Sequence, residues 1–142
     1  AAGSDIVAID GTFRVRENLD GPSFIKAVKE KYGCLVLADI ATFEEAKACE
    51  ENGADAISTT LSGYTPDTLS SVEGPNFYLL EKILKDIKIP VFAEGRFNVP
   101  ADAQKAMEMG SYGVITGTAI TRPRVTTKWF VEAVNKGKHL KK

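Results

Sequence analysis

Three short apolar runs in this chain each end on a carboxylate. Ile6-Val7-Ala8-Ile9 runs into Asp10, Leu35-Val36-Leu37-Ala38 into Asp39, and Val91-Phe92-Ala93 into Glu94. The third run also delivers Gly95 and Arg96 beside its carboxylate. A carboxylate at a strand end is a candidate general acid or base, and an adjacent arginine can bind an anion or steady a developing charge. A second glycine-bearing turn, Gly117-Thr118-Ala119-Ile120-Thr121-Arg122-Pro123, follows a fifth apolar run at 113–117. Glycine lets a phosphate approach backbone N–H groups closely, and two such turns in consecutive final units, each followed by arginine, have the form of a phosphate cradle. The plain alternative for Glu94 and Arg96 is a surface ion pair beside a turn, and those residues alone do not choose.

The elements that must position these groups are legible from patterning. Pro90 closes a helical pattern, and Val91 to Ala93 is too short for a buried helix, so a buried strand is expected there. Strands are likewise expected at 6–10, 35–38, 56–60 and 113–117, the second of them ending on Asp39. Helices alternate with them: from about Ser23 to Gly33; from Thr42, which has capping-box spacing to Glu45, to Asn52-Gly53; over Phe77 to Ile87; from Pro100 to Gly110; and a last one carrying Val125, Trp129, Phe130 and Val134. Met107, Met109, Trp129 and Phe130 are read as core packing. The stretch 61–75 is the longest loop and mostly polar, as lids and binding loops are. Strict alternation of strand and helix requires a parallel sheet covered by helices. Two architectures satisfy it, a segment of a (β/α)8 barrel and an open five-stranded sheet of flavodoxin type.

Composition narrows the function classes. The chain has 142 residues, 44% of them hydrophobic, enough for one sizeable core, and is read as a single domain over 1–142. Eighteen basic against nineteen acidic side chains leave a net charge of −1, which argues against nucleic acid as a partner. No apolar run reaches the ~20 residues of a membrane span, so no membrane partner and a cytoplasmic location are expected. Cys34 and Cys49 are read as buried free thiols. His139 is the sole histidine and stands in a lysine-rich tail with Lys136, Lys138, Lys141 and Lys142, so Ser-His or Cys-His catalysis has no base and a histidine-rich metal site is not available. The opening Ala1-Ala2-Gly3-Ser4-Asp5 reads as a helix end and its glycine stop, from which a preceding part of the protein is expected.

Five stretches together resemble the N-acetylmannosamine-6-phosphate 2-epimerase family. They are Val7-Ala8-Ile9-Asp10-Gly11-Thr12, Leu37-Ala38-Asp39-Ile40-Ala41-Thr42, the nine residues from Ile57 to Thr65, Ala93-Glu94-Gly95-Arg96, and Gly117 to Pro123. The resemblance is ordered and spans the chain. It implies an α/β fold, the (β/α)8 TIM barrel, with these five strands as strands 4 to 8 and the first three βα units absent. It implies a sugar-phosphate substrate and proton transfer at C2, in amino sugar (sialic acid) catabolism, with no cofactor, no metal and a homo-oligomer, a dimer. Glu94 would be one of two acid/base groups; the other, a lysine on the third strand, is not among these residues, so the chain by itself is expected to be inactive. Asp39 and Arg96 would bind substrate. Asp10 would either touch substrate or make a structural hydrogen bond. Gly95, Gly117, Thr118 and Arg122 would hold the phosphate. The family usually has two glycines where this chain has Gly117-Thr118, and the threonine could donate to phosphate or narrow the pocket. Two other readings compete: another phosphate-binding barrel enzyme, such as a ribulose-phosphate epimerase or thiamin-phosphate synthase relative, and a non-catalytic barrel fragment that assembles with itself or with a missing amino-terminal part.

Overall fold

The computed structural model describes residues 3–69 and 73–138. Every anticipated strand and helix is present. The strands are β1 (Ile6–Asp10), β2 (Leu35–Asp39), β3 (Ala56–Ser58), β4 (Val91–Glu94) and β5 (Gly113–Ile115). The helices are α1 (Gly21–Tyr32), α2 (Phe43–Glu51), α3 (Phe77–Asp86), α4 (Pro100–Glu108), α5 (Thr118–Thr121) and α6 (Pro123–Lys138). All four strand pairs are parallel, and the sheet order is β1-β2-β3-β4-β5. That order decides between the two architectures. A doubly wound sheet reverses its strand order at a switch point, whereas here each crossover steps to the next neighbour in one direction, as in a barrel.

The two faces of the sheet differ accordingly. Val36, Ala38, Ile57, Val91 and Ala93 point toward the helices and form one core with Ile25 of α1, Ala46 and Cys49 of α2, Leu79, Leu80 and Ile83 of α3, and Ala106 of α4. The alternate residues share the other face, since register places Asp10 beside Asp39, Asp39 beside Ser58, Ser58 beside Phe92, and Glu94 beside Ile115. Every polar strand-end group considered above therefore lies on the face away from the core, at the carboxyl ends of the strands.

Local chemistry explains where the elements begin and stop. Thr42 caps α2 in a full capping box: its side chain accepts from Glu45 N–H at 3.2 Å, and Glu45 Oε2 accepts from Thr42 N–H at 2.9 Å. Glu45, 7% exposed, also accepts from the Ala41 and Phe13 N–H groups, which ties the loop after β1 to the start of α2. Cys49 is buried against Gly11, and burial, with the charges of Glu45, Asp20 and Asp10 adding, pushes its thiol up to about 12.

Several boundaries and burials differ from the sequence expectation. Helix α1 starts at Gly21 rather than about Ser23, because Asp20 is its cap and accepts from Ser23 N–H at 2.9 Å. Strands β3 and β5 stop at Ser58 and Ile115, two residues short of the expected ends. A further turn of helix, α5, forms at Thr118–Thr121 before Pro123 opens α6. Phe130 is 70% exposed, Met107 is also exposed and Trp129 only half-buried, so these three do not pack in the core. Cys34 is half-buried, and both cysteines are free. Ile6 and Val7 of β1 are exposed, since β1 has a strand on one side only among the described residues. The expectations for Ala1-Ala2, His139, Lys141 and Lys142 fall outside the described residues. No helix among the described residues is long and apolar enough to cross a membrane.

Candidate active site

The site is built from the ends of β2, β3 and β4 and the turns after β4 and β5. Glu94 ends β4, and its position is fixed twice. Thr59 Oγ1 donates to the Glu94 carbonyl at 2.8 Å and accepts from the Glu94 N–H at 2.9 Å, locking the strand end. Ser58 and Thr60, on the other face, hold the side chain: Ser58 Oγ donates to Glu94 Oε2 at 2.8 Å, and Thr60 Oγ1 lies 2.6 Å from the same oxygen. Thr60 Oγ1 also stands 3.0 Å from Asp39 Oδ1, so one hydroxyl bridges the two carboxylates. Burial raises the Asp39 carboxyl to about 6, with the Glu94 and Asp10 charges adding and the Thr60 hydrogen bond opposing.

The turn after β4 places Arg96. Gly95 has a φ of +98°, which only glycine adopts without strain, and a Cβ there would stand 3.3 Å from the Thr60 carbonyl oxygen. Arg96 itself takes a φ of +61°. Its guanidinium lies against Gly63, where a Cβ would collide with Nη1, and 5.8 Å from the centre of the Tyr64 ring. The long polar loop after β3 thus supplies the seat for this cation. A cavity of about 280 Å³ opens here, lined by Glu94, Gly95, Arg96 and Thr60 on one side and by Gly117, Thr118, Ile115 and Trp129 on the other.

The structure therefore brings together Glu94, Gly95, Arg96, Gly117 and Thr118 around one cavity, with Asp39 joined to them through Thr60. Two other predicted residues lie apart. Arg122 ends α5, is exposed, and does not line the cavity. Asp10 pairs in register with Asp39 but is occupied locally: Thr12 donates to it through its N–H at 3.0 Å and its hydroxyl at 2.6 Å, and Arg14 and Arg16 form ion pairs with it. Burial pushes the other way, yet these contacts together hold the Asp10 carboxyl below the usual carboxylate range. A larger groove of about 980 Å³ runs along the exposed side of β1 and α1, but its lining is chiefly apolar, and of its carboxylates Asp10 is paired with Thr12, Arg14 and Arg16 while Asp20 caps α1.

Sequence reasoning missed Ser58, Thr59 and Thr60 as site residues, along with Gly63, Tyr64 and Trp129. The signal was a run of three hydroxyl residues at the end of an otherwise apolar strand. Such a run is hard to accommodate in a buried strand unless the hydroxyls have acceptors, and the neighbouring strand-end carboxylates are the acceptors at hand.

Comparison with known proteins shows the family. Residues 1–136 match the family model described as "Putative N-acetylmannosamine-6-phosphate epimerase". A protein of Clostridioides difficile (strain 630) bearing the name "Putative N-acetylmannosamine-6-phosphate 2-epimerase" is 48% identical over 133 residues, 93% of this chain and 59% of that one. A Caldanaerobacter subterraneus protein of the same name is 46% identical over 140 residues, 97% of this chain and 59% of its own. The solved N-acetylmannosamine-6-phosphate 2-epimerase from Clostridium perfringens superposes with a TM-score of 0.83 at 42% identity, covering 92% of this chain and 57% of that chain. A thiamine phosphate pyrophosphorylase from Pyrococcus furiosus is more distant, with a TM-score of 0.57 at 26% identity over 81% of this chain and 49% of that one. The chain spans about three-fifths of the length of the curated relatives it matches. With a family model matched from its first residue to residue 136, and with the strand order of a TIM barrel, the chain belongs to the N-acetylmannosamine-6-phosphate epimerase family.

Proposed function

We propose that this chain forms the larger part of an epimerase that interconverts N-acetylmannosamine 6-phosphate and N-acetylglucosamine 6-phosphate by moving the C2 proton, in amino sugar (sialic acid) catabolism in the cytoplasm. The observation that carries this reading is Glu94 facing one cavity together with Arg96 and the two glycine turns. Opening the sugar ring exposes an aldehyde at C1 that acidifies the C2 proton. Removal of that proton gives an enolate, and protonation from the opposite face completes the change. The chemistry needs two acid/base groups on opposite faces, and Glu94 is one of them. Arg96 binds substrate and stabilises the negative charge of the enolate, held for that task by Gly63 and Tyr64. Asp39 contacts a sugar hydroxyl or the acetamido group. The backbone N–H groups of Gly95, Gly117 and Thr118 receive the 6-phosphate across the cavity, while Arg122 acts at longer range and Asp10 through the loop it orders.

In this reading β1 to β5 are strands 4 to 8 of the barrel, and the second acid/base group comes from outside these residues. The 142-residue chain by itself then does not epimerise, and its open edges at β1 and β5 favour pairing with another copy. The test is Glu94→Gln in the full-length protein, assayed on both hexosamine phosphates. A fall in kcat of about 10²-fold or more, with substrate still bound, is expected for loss of a positioned acid or base. Near-normal turnover would remove Glu94 from the mechanism.

A further inference from the structure

Two hydroxyl protons serve four short oxygen–oxygen contacts at the end of β3. Ser58 Oγ lies 2.8 Å from Glu94 Oε2 and 2.6 Å from Thr60 Oγ1, and Thr60 Oγ1 lies 2.6 Å from Glu94 Oε2 and 3.0 Å from Asp39 Oδ1. If both carboxylates are charged, two of the four contacts have no proton between their oxygens, and such pairs of acceptors repel. One added proton on the carboxylate pair leaves a single unbridged contact. Ser58 is fully buried, and contacts of 2.6–3.0 Å leave no room for a water between the oxygens, so a proton on the pair is what can bridge them. The arrangement is that of a pair of carboxyl groups sharing a proton through a hydroxyl, rather than two independent carboxylates.

Resting on the acid/base role proposed for Glu94, we propose that Thr60, braced by Ser58, is a positioning residue that joins Asp39 and Glu94 into one proton-sharing unit. The transfer balances. The O–H bond of protonated Asp39 breaks as one forms at Thr60 Oγ1, and the original Thr60 O–H breaks as one forms at Glu94 Oε2. One proton moves, threonine is regenerated, and Glu94 regains a proton after giving one to carbon. Asp39 thereby acquires a second task, as the reservoir behind Glu94. The raised Asp39 carboxyl, at about 6, fits a group that carries a proton for part of the neutral range. The charged groups around the unit are Asp10 beside Asp39 on β1, with Arg14 and Arg16 paired to it, and Arg96 after β4.

The experiment compares Thr60→Val with Thr60→Ser in the full-length protein. The valine keeps the branched shape and deletes the hydroxyl. It is expected to lower kcat about tenfold or more with little change in KM and to displace the limb of the pH–kcat profile that Asp39 sets, and serine is expected to restore both. A valine variant with unchanged kcat and pH profile overturns the inference, while Glu94→Gln, if it still abolishes turnover, leaves the role of Glu94 standing. A second measurement needs no variant to fold: a carboxyl-carbon NMR titration of the wild-type protein. The Asp39 signal is expected to move in two steps, as a member of a proton-sharing pair does, and a single-step curve overturns the coupling.

Discussion

Asp39 sits where its charge is disfavoured, and the consequence is measurable as stability. Its carboxyl is pushed up to about 6 in the folded chain from an ordinary value of 3.8, chiefly by burial and then by the charges of Glu94 and Asp10. Between those two values the folded state holds more protons than the unfolded state, so stability falls as pH rises from about 4 to about 6. Asp39→Asn removes that slope. The variant is expected to be more stable than the wild type at pH 7 and to differ less from it at pH 4, read by urea denaturation at both values. Equal pH slopes in the two proteins would show that Asp39 is not the source of the pH dependence. The expected gain at pH 7 would come with a loss of activity, the usual relation between a destabilised group and a working site.

Single positions also show what the sequence could and could not reveal. Glu94, Gly95 and Arg96 were legible because a short apolar run, a glycine and a charge of each sign fall within six residues. Ser58 and Thr60 were not singled out, since their significance depends on Asp39 and Glu94 arriving from two other strands, 21 and 34 or more residues away in the chain. Arg122 looked equivalent to Arg96 because each follows a glycine turn. The extra helical turn at Thr118–Thr121 carries Arg122 away from the cavity that Arg96 lines.

At the scale of elements, the junction of β2 with α2 shows short-range patterning deciding structure. The spacing of Thr42 and Glu45 predicts a capped helix, and the capping box is complete. What spacing could not show is that Glu45 also reaches Phe13, 32 residues earlier, and so fastens the loop that follows Asp10. Glu45→Ala leaves the buried N–H group of Ala41 and the half-buried one of Thr42 without their acceptor. The expected cost is about 2–4 kcal/mol, from the lost cap and the unpaired donors together. It is read as a lowered midpoint in chemical denaturation, with activity falling less than stability. A cost below about 0.5 kcal/mol, the size of an ordinary surface change, would mean that the loop is held by something else. Helix α6 was misread for the opposite reason. Its apolar residues have helical spacing, but spacing does not say what covers them, and Phe130, Val131 and Val134 are exposed.

The whole molecule raises the question of closure. In a (β/α)8 barrel every strand has two neighbours, whereas β1 and β5 have one each among the described residues, and the apolar groove of about 980 Å³ lies along the free side of β1. Unpaired N–H and C=O groups on a strand edge recruit another strand, from a second copy or from the rest of a barrel. On the proposed register, three further βα units would pair both edges at once, cover Ile6 and Val7, and bring the second acid/base group to the face opposite Glu94. The 142-residue chain purified alone is therefore expected to self-associate in light scattering, to exchange the amide hydrogens of β1 and β5 faster than those of β3, and to leave both hexosamine phosphates unchanged. Mixing it with the amino-terminal two-fifths of a relative such as the Clostridium perfringens enzyme should slow exchange at both edges and restore some turnover. Exchange is the more telling readout, because closure can occur without a competent site, whereas a competent site on this register requires closure. A monomeric 142-residue chain that epimerises by itself would mean that both acid/base groups lie within it, and Glu94 would then need a partner among the residues already lining its cavity.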